Sequence, residues 1–277
     1  LIGSMWFGTA QKTHHLRTAF DDCSHGSEMQ SSTLLLNLHR VAMAEGHLPR
    51  QWSICADNTR KETKNQITMW FIVWLLCALD GTPLWKVDVL FLLAGHTRNK
   101  LDRFFSRIAV ALAGRDYFTV VGMLRLLRQQ ITYCQVQSDH LSQVWGWKEL
   151  LQHPCAAGFK NMDPVHAFRF YRSDGIHVQW KQWRTDEAWR KPVKLVSQVD
   201  MPELAAFRPQ ASDMTFPSDG QDILDWLDRV GFWCASQPVD AYEGLQHELA
   251  WLRGIVHHSV PGEYAPGTHV DCLLADL

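Results

Sequence analysis

Residues 52–81 read WSICADNTRKETKNQITMWFIVWLLCALDG, and this stretch decides the fold class. Trp52 to Ala56 is a short apolar run of the kind that forms a buried strand, and it delivers Asp57 at its end. Thr59-Arg60-Lys61-Glu62 carries the capping-box pattern, in which the threonine and the glutamate serve each other's free N–H groups and open a helix. That helix is expected to continue through the apolar run Ile67 to Leu79 and to stop at the turn pair Asp80-Gly81. A membrane-spanning helix needs about 20 apolar residues. This run falls short, so the expectation is a helix buried inside a domain. A strand followed by a buried helix belongs to an α/β layer.

Working outward, Leu1 to Phe7 and His15 to Phe20 read as strands with a loop at Gly8 to Lys12. Ser27 to Ala44 reads as a helix, because Leu34, Leu35, Leu38, Val41 and Ala42 recur at helical spacing before Gly46. Val87 to Leu93 reads as a further strand that stops at Gly95. A helix then starts near Thr97 and runs through Leu101, Phe104, Phe105, Ile108 and Leu112 to Gly114, and another covers Tyr117 to Gln130. Past residue 150 the pattern changes. Ala167 to Tyr171 and Ile176 to Trp183 alternate around Ser173-Asp174-Gly175, which predicts a β-hairpin. Beyond residue 199 proline and glycine become frequent, and short helices are expected only at 221–229 and 242–252. The resulting division is a core at 1–150, a hairpin segment at 151–198 and a partly helical C-terminal region at 199–277.

Hydrophobic residues make up 46% and charged residues 20% of the 277, the composition of an ordinary soluble globular protein. The 13 tryptophans are expected in the core or on a binding face. The net charge of −2 hides an asymmetry. Residues 1–198 hold 24 Lys and Arg against 16 Asp and Glu, whereas residues 199–277 hold three against 13. A basic body suits a polyanion, and an acidic tail can cover it or stay solvated. Seven cysteines without a C-x-x-C pair argue against a zinc knuckle and for a reducing compartment. No secretory signal opens the chain. Leu1 begins inside an apolar stretch, and the expectation is a chain cut within a domain.

Asp57 at a strand end and Asp102 in the first turns of a helix are the carboxylates that could carry chemistry. Phosphoryl transfer on nucleic acid uses acids that converge on divalent metals. Each also has a plainer use, Asp57 as a helix cap and Asp102 as a complement to the helix dipole. His96, Arg98, Lys100, Arg103, Arg107 and Arg115 surround Asp102, either as a face that follows a phosphate backbone or as a solvated helix face. On the hairpin, Arg169 and Tyr171 share one face with His177, Gln179, Lys181 and Trp183, while Phe168, Phe170, Ile176, Val178 and Trp180 take the other. Cations beside aromatics on a sheet can bind single strands; an exposed polar face is the alternative. There is no phosphate-binding G-x-x-x-x-G-K-[ST] loop, no G-x-G-x-x-G and no G-x-S-x-G elbow. His14-His15 and His257-His258 lack the i, i+4 spacing of a helical metal site.

The string Asp57-Asn58-Thr59-Arg60-Lys61-Glu62-Thr63-Lys64-Asn65 resembles the D-N-x-x-x-E-N-K-N segment of integrase-like proteins from transposon-rich eukaryotic genomes, described mostly as domains of unknown function. Gly95 to Ser106 is similar to their G-H-T-x-x-x-x-D-x-x-F-S segment, and Ile2 to Gly8 resembles the strand that follows their first acidic motif. Thr63 stands where that pattern has asparagine, and Arg98 where it has histidine. The resemblance implies a ribonuclease-H-like mixed sheet flanked by helices, followed by the hairpin and an irregular acidic C-terminal region. It implies a D…D…D/E site with Asp57 as second and Asp102 as third carboxylate, holding Mg2+ or Mn2+. The first carboxylate would lie on a strand before residue 1, so the resemblance implies a truncated copy of a transposon-derived integrase or transposase. Lys64, His96, Arg98, Lys100, Arg103 and Arg107 would contact nucleic acid. The implied partner is DNA or RNA, with homo-oligomerisation open and no membrane, in the nucleus or cytoplasm. A non-catalytic nucleic-acid-binding remnant and a protein-interaction scaffold are the competing expectations.

Overall fold

The computed structural model describes residues 2–7, 12–18, 26–56, 58, 63–92, 100–114, 120–131, 135–140, 143–156, 158–159, 162–183, 185–213, 225, 228–229, 250, 270–275 and 277. Their elements run β1 (Ile2–Phe7), β2 (Lys12–Thr18), α1 (Ser27–Glu45), β3 (Gln51–Ala56), α2 (Gln66–Ala78), β4 (Lys86–Phe91), α3 (Lys100–Leu112), α4 (Val120–Gln130), β5 (Gln135–His140) and β6 (Gln143–Trp145). A 3-10 helix (Trp147–Gln152) follows, then β7 (Ala167–Arg172), β8 (Gly175–Lys181), β9 (Val193–Ser197), α5 (Met201–Ala205), β10 (Ala211–Asp213) and α6 (Val270–Ala275). Two compact units divide them. One comprises Leu1–Cys23, Arg98–Ser142 and Asp213–Pro266, the other Ser24–Thr97, Gln143–Ser212 and Gly267–Leu277. The units interleave along the chain, where the sequence suggested consecutive segments. The helices expected at 221–229 and 242–252 lie almost wholly outside the described residues, as does the loop at Gly8.

The second unit is an α/β layer with a five-stranded mixed sheet in the order β3-β4-β7-β8-β9. β3 and β4 run parallel, and β4-β7, β7-β8 and β8-β9 pair antiparallel. The hairpin expected as an appendage therefore continues the same sheet, with Phe168 opposite Val89 and Phe170 opposite Val87. Alternation assigns the faces. Trp52, Ile54, Val87, Val89, Phe91, Phe168, Phe170, Ile176 and Val178 are buried.

α2 is apolar on every side, as a helix enclosed within a protein must be, and Met69 through Cys77 are all buried. It does not begin at the Thr59 capping box expected from the sequence. It starts at Gln66, where the Asn65 side chain accepts a hydrogen bond from the Thr68 amide at 3.1 Å. Asn65 satisfies the free N–H of the first turn and so fixes the start; Thr59 to Glu62 lie outside the described residues. At the other end Arg172, on β7, donates to the carbonyls of Leu76 at 3.0 Å, of Leu79, and of Thr82 at 2.8 Å. The Leu76 carbonyl is one of those a helix end leaves unpaired, and the Leu79 carbonyl also accepts from the Thr82 amide and hydroxyl. Phe71 and Trp74 of α2 pack on Trp147, each with its ring centroid 4.8 Å from that of Trp147. Ser32 of α1 ties this cluster down. Its hydroxyl donates to the Glu28 carbonyl at 2.8 Å and accepts from the Trp145 amide and the Trp147 indole N–H, each at 3.0 Å. Among the described residues no helix is long and apolar enough to cross a membrane.

The first unit has a three-stranded sheet in the order β1-β2-β5, with β1 and β2 antiparallel and β2 and β5 parallel. α3 and α4 build its apolar cluster. Phe104 and Ile108, one helical turn apart, meet Met123, Leu127 and Ile131.

Candidate functional site

The parallel pair β3–β4 brings Ala56 opposite Phe91 at the carboxyl ends of the two strands. Ligands of open α/β sheets gather beyond such ends. Asp57 follows Ala56 directly in sequence. Two side chains from distant parts of the chain meet at Phe91. Lys64, only 4% exposed, donates from Nζ to the Asp163 carbonyl at 2.7 Å and lies 5.5 Å from the centroid of the Phe91 ring. His166 is also buried. The Phe91 amide donates to its carbonyl at 2.8 Å, and its Nδ1 stands 3.3 Å from the Phe91 carbonyl oxygen. A carbonyl only accepts, so this contact requires the proton on Nδ1. Trp183 stacks on the imidazole with centroids 4.7 Å apart and planes at 11°.

Of the residues singled out from the sequence, Lys64 is the one drawn into this end of the sheet, and its ammonium is turned onto backbone rather than toward solvent. Asp57, His96, Arg98 and Arg115 lie outside the described residues. Asp102 is the third residue of α3 and Lys100 the first, and the side chains of both lie outside them too. Asp57 and Asp102 belong to different units. On α3, Lys100, Arg103 and Arg107 fall at i, i+3 and i+7, one stripe of a helix, and Arg103 and Arg107 are exposed while Phe104 and Ile108 face the apolar cluster.

The hard oxygen donors after β3, Asp57 and Asn58, are of the type magnesium takes. Among the described residues no three His, Cys, Asp or Glu side chains converge as a metal site.

A second feature is the polar face of the sheet. Register sets Asp88 opposite Arg169 and Arg169 opposite Gln179, then Lys86 opposite Tyr171, Tyr171 opposite His177, and His177 opposite Lys194. Arg169 grips Asp88 with both arms of its fork, Nε to Oδ1 at 2.8 Å and Nη2 to Oδ2 at 3.0 Å. That hydrogen-bonded carboxylate holds the guanidinium pKa above its ordinary value. The Trp189 ring lies under both Arg169, at 4.3 Å, and Lys181, at 4.9 Å. His177 stacks on Tyr171 at 5.4 Å. At the hairpin turn Lys194 pairs with Asp174 and holds that carboxyl below the usual range. His166 and Trp189 were not anticipated from the sequence. The signal for Trp189 was its place among Lys181, Arg190 and Lys191; a lone His166 before a strand gave none.

Residues 1–186 match the family described as "Domain of unknown function (DUF7869)", and the chain belongs to that family. No curated protein and no solved structure matches the chain.

Proposed function

We propose that this chain is a nucleic-acid-directed phosphoryl-transfer domain of the integrase and transposase kind, built on a ribonuclease-H-like sheet and dependent on magnesium or manganese. The observation that carries the reading is the position of β3. Among the described residues it is an edge strand, its neighbour in the sheet is the parallel β4, and the next residue in the chain is Asp57. Carboxylates that share metal ions must converge within a few ångströms, and adjacent strands are spaced about 4.8 Å apart. One side of β3 is taken by β4, whose end carries Phe91 and Leu92 and no acid. A strand that brings another acid beside Asp57 therefore has to lie along the opposite edge of β3. Asp57 and Asp102 would each supply a carboxylate to metal, which when bound stabilises the attacking and leaving oxygens of an in-line displacement. Arg98, Lys100, Arg103 and Arg107 would hold backbone phosphates. Lys64, bonded to the Asp163 carbonyl, and His96 would position the segments that carry the acids.

The test is cleavage or joining of labelled oligonucleotides with manganese, for the natural chain, Asp57→Asn and Asp102→Asn. Both substitutions should abolish metal-dependent turnover and leave oligonucleotide binding intact or tighter, because a negative charge is removed. Turnover that survives in both variants contradicts the reading. The exposed Arg103 and Arg107 favour a second reading, a non-catalytic nucleic-acid-binding protein. It predicts affinity that falls with salt and indifference to both substitutions.

A further inference from the structure

The segment from Lys181 to Lys194 reads KQWRTDEAWRKPVK, five cations against two acids with two tryptophans between them. It leaves β8 and returns across the polar face of the sheet, where the Arg190 amide donates to the Trp180 carbonyl at 3.0 Å. Two features make this face more than a solvated surface. Trp183 is 42% exposed although it is a tryptophan, and its ring is held parallel to the buried His166, which is itself fixed to the backbone of Phe91. Its amide is also pinned, donating to Asp186 Oδ2 at 2.9 Å. An exposed aromatic plane backed by an anchored ring loses little freedom when a second flat group stacks on it. Trp189 in turn orders the stem of Lys181, while Arg190 and Lys191 are exposed at its edge. Arg169 is neutralised by Asp88 and serves to position Trp189.

We infer that this segment binds single-stranded nucleic acid, with Trp183 as the stacking platform for a base and the exposed Arg190 and Lys191 as phosphate contacts, while Lys181, held by the Asp186 carbonyl and the Trp189 ring, orders the segment. The inference rests on nucleic acid being the partner, as proposed above, and is independent of Asp57 and Asp102. Stacking on aromatic side chains tolerates any base, and a cationic border supplies charge complementarity to the backbone. A duplex keeps its bases stacked on each other and offers no free plane to Trp183.

The experiment is fluorescence anisotropy of a labelled 15-nucleotide oligo(dT), with oligo(U), duplex DNA and poly-glutamate as competitors, on the full chain in EDTA. Binding should fall with salt. Trp183→Ala should weaken it about tenfold or more, and Trp183→Phe much less. Arg190→Ala combined with Lys191→Ala should flatten the salt slope by roughly 1.4, at about 0.7 per lost single-strand phosphate contact. Circular dichroism checks that each variant is folded. Unlabelled oligo(U) competing at lower concentration than unlabelled oligo(dT) marks RNA as the source of the strand, and the reverse marks DNA. The inference is overturned if both sets of surface variants bind like the natural chain, or if duplex or poly-glutamate competes as well as the single strands. Loss of metal-dependent turnover in Asp57→Asn with unaltered binding in Trp183→Ala would reject this face and keep the catalytic reading. The reverse pattern would keep the face and reject the site.

Discussion

Ser32→Ala removes one oxygen from the interior of the second unit, and its cost can be worked from the contacts. The hydroxyl is fully buried and is the acceptor for two buried donors, the Trp145 amide and the Trp147 indole N–H, both at 3.0 Å. Deleting it leaves both donors without that acceptor, and each orphaned buried group costs about 1–3 kcal/mol. The lost methyl-sized volume adds little, so the expected loss is about 3 kcal/mol. For a folding unit of 150–250 residues this is a fall in Tm of roughly 6–12 °C. Urea unfolding followed by near-ultraviolet circular dichroism measures it. A double-mutant cycle separates the two donors. In a Trp147→Phe background the indole N–H is gone, and Ser32→Ala should cost less by about 1 kcal/mol or more. A loss below about 0.5 kcal/mol for the single variant, or strict additivity in the cycle, would refute the claim that Ser32 holds the tryptophan cluster.

Arg172→Met keeps the apolar stem but strips the donors from the Leu76, Leu79 and Thr82 carbonyls, and should cost about 2–3 kcal/mol by urea midpoint, hydrogen bonds to a charged group being the strong ones. Gly175→Ala meets a harder obstacle. Gly175 has φ +131°, and a Cβ there would lie 2.2 Å from the Val196 carbonyl oxygen, so the β8–β9 pairing should open and hydrogen-exchange protection in β9 should collapse. Lys64→Met should lower stability by about 1 kcal/mol, because the Asp163 carbonyl loses a donor, while the salt slope of oligonucleotide binding stays unchanged. The Asp174 carboxyl is held below its ordinary pKa by Lys194. Its contribution to the hairpin is therefore complete above the usual carboxylate range and is lost as pH falls through the depressed folded value. A carboxyl NMR titration of Asp174 should move toward the ordinary value in Lys194→Ala.

The elements that follow from local pattern were readable in the residues. α1 ends at Gly46, in the left-handed conformation glycine takes at such a position, and the Ser173-Asp174-Gly175 turn sits between the paired strands. The apolar run in α2 announced a buried helix because burial on all sides leaves no polar stripe. What local pattern could not give was pairing. β4 meets β7 across 75 or more residues, and β2 meets β5 from the far side of four helices, so nothing near either strand encodes its neighbour. The start of α2 was misplaced because Thr59 and Asn65 both carry cap chemistry, and choosing between them depends on how the intervening turn packs. In the candidate site, Lys64 was found by its neighbourhood to Asp57, yet its burial against Asp163 depends on a loop 99 residues later. His166 and Ser32 act through partners brought in by the fold, and single residues of those types give no signal in a sequence.

The most direct test of the central claim is a crystal structure of the chain soaked in manganese, read by anomalous scattering. The account predicts manganese density at the Asp57 carboxylate and at the Asp102 carboxylate. Manganese absent from both carboxylates, with Asp57 accepting hydrogen bonds from backbone amides as a cap and Asp102 directed to solvent, would contradict it.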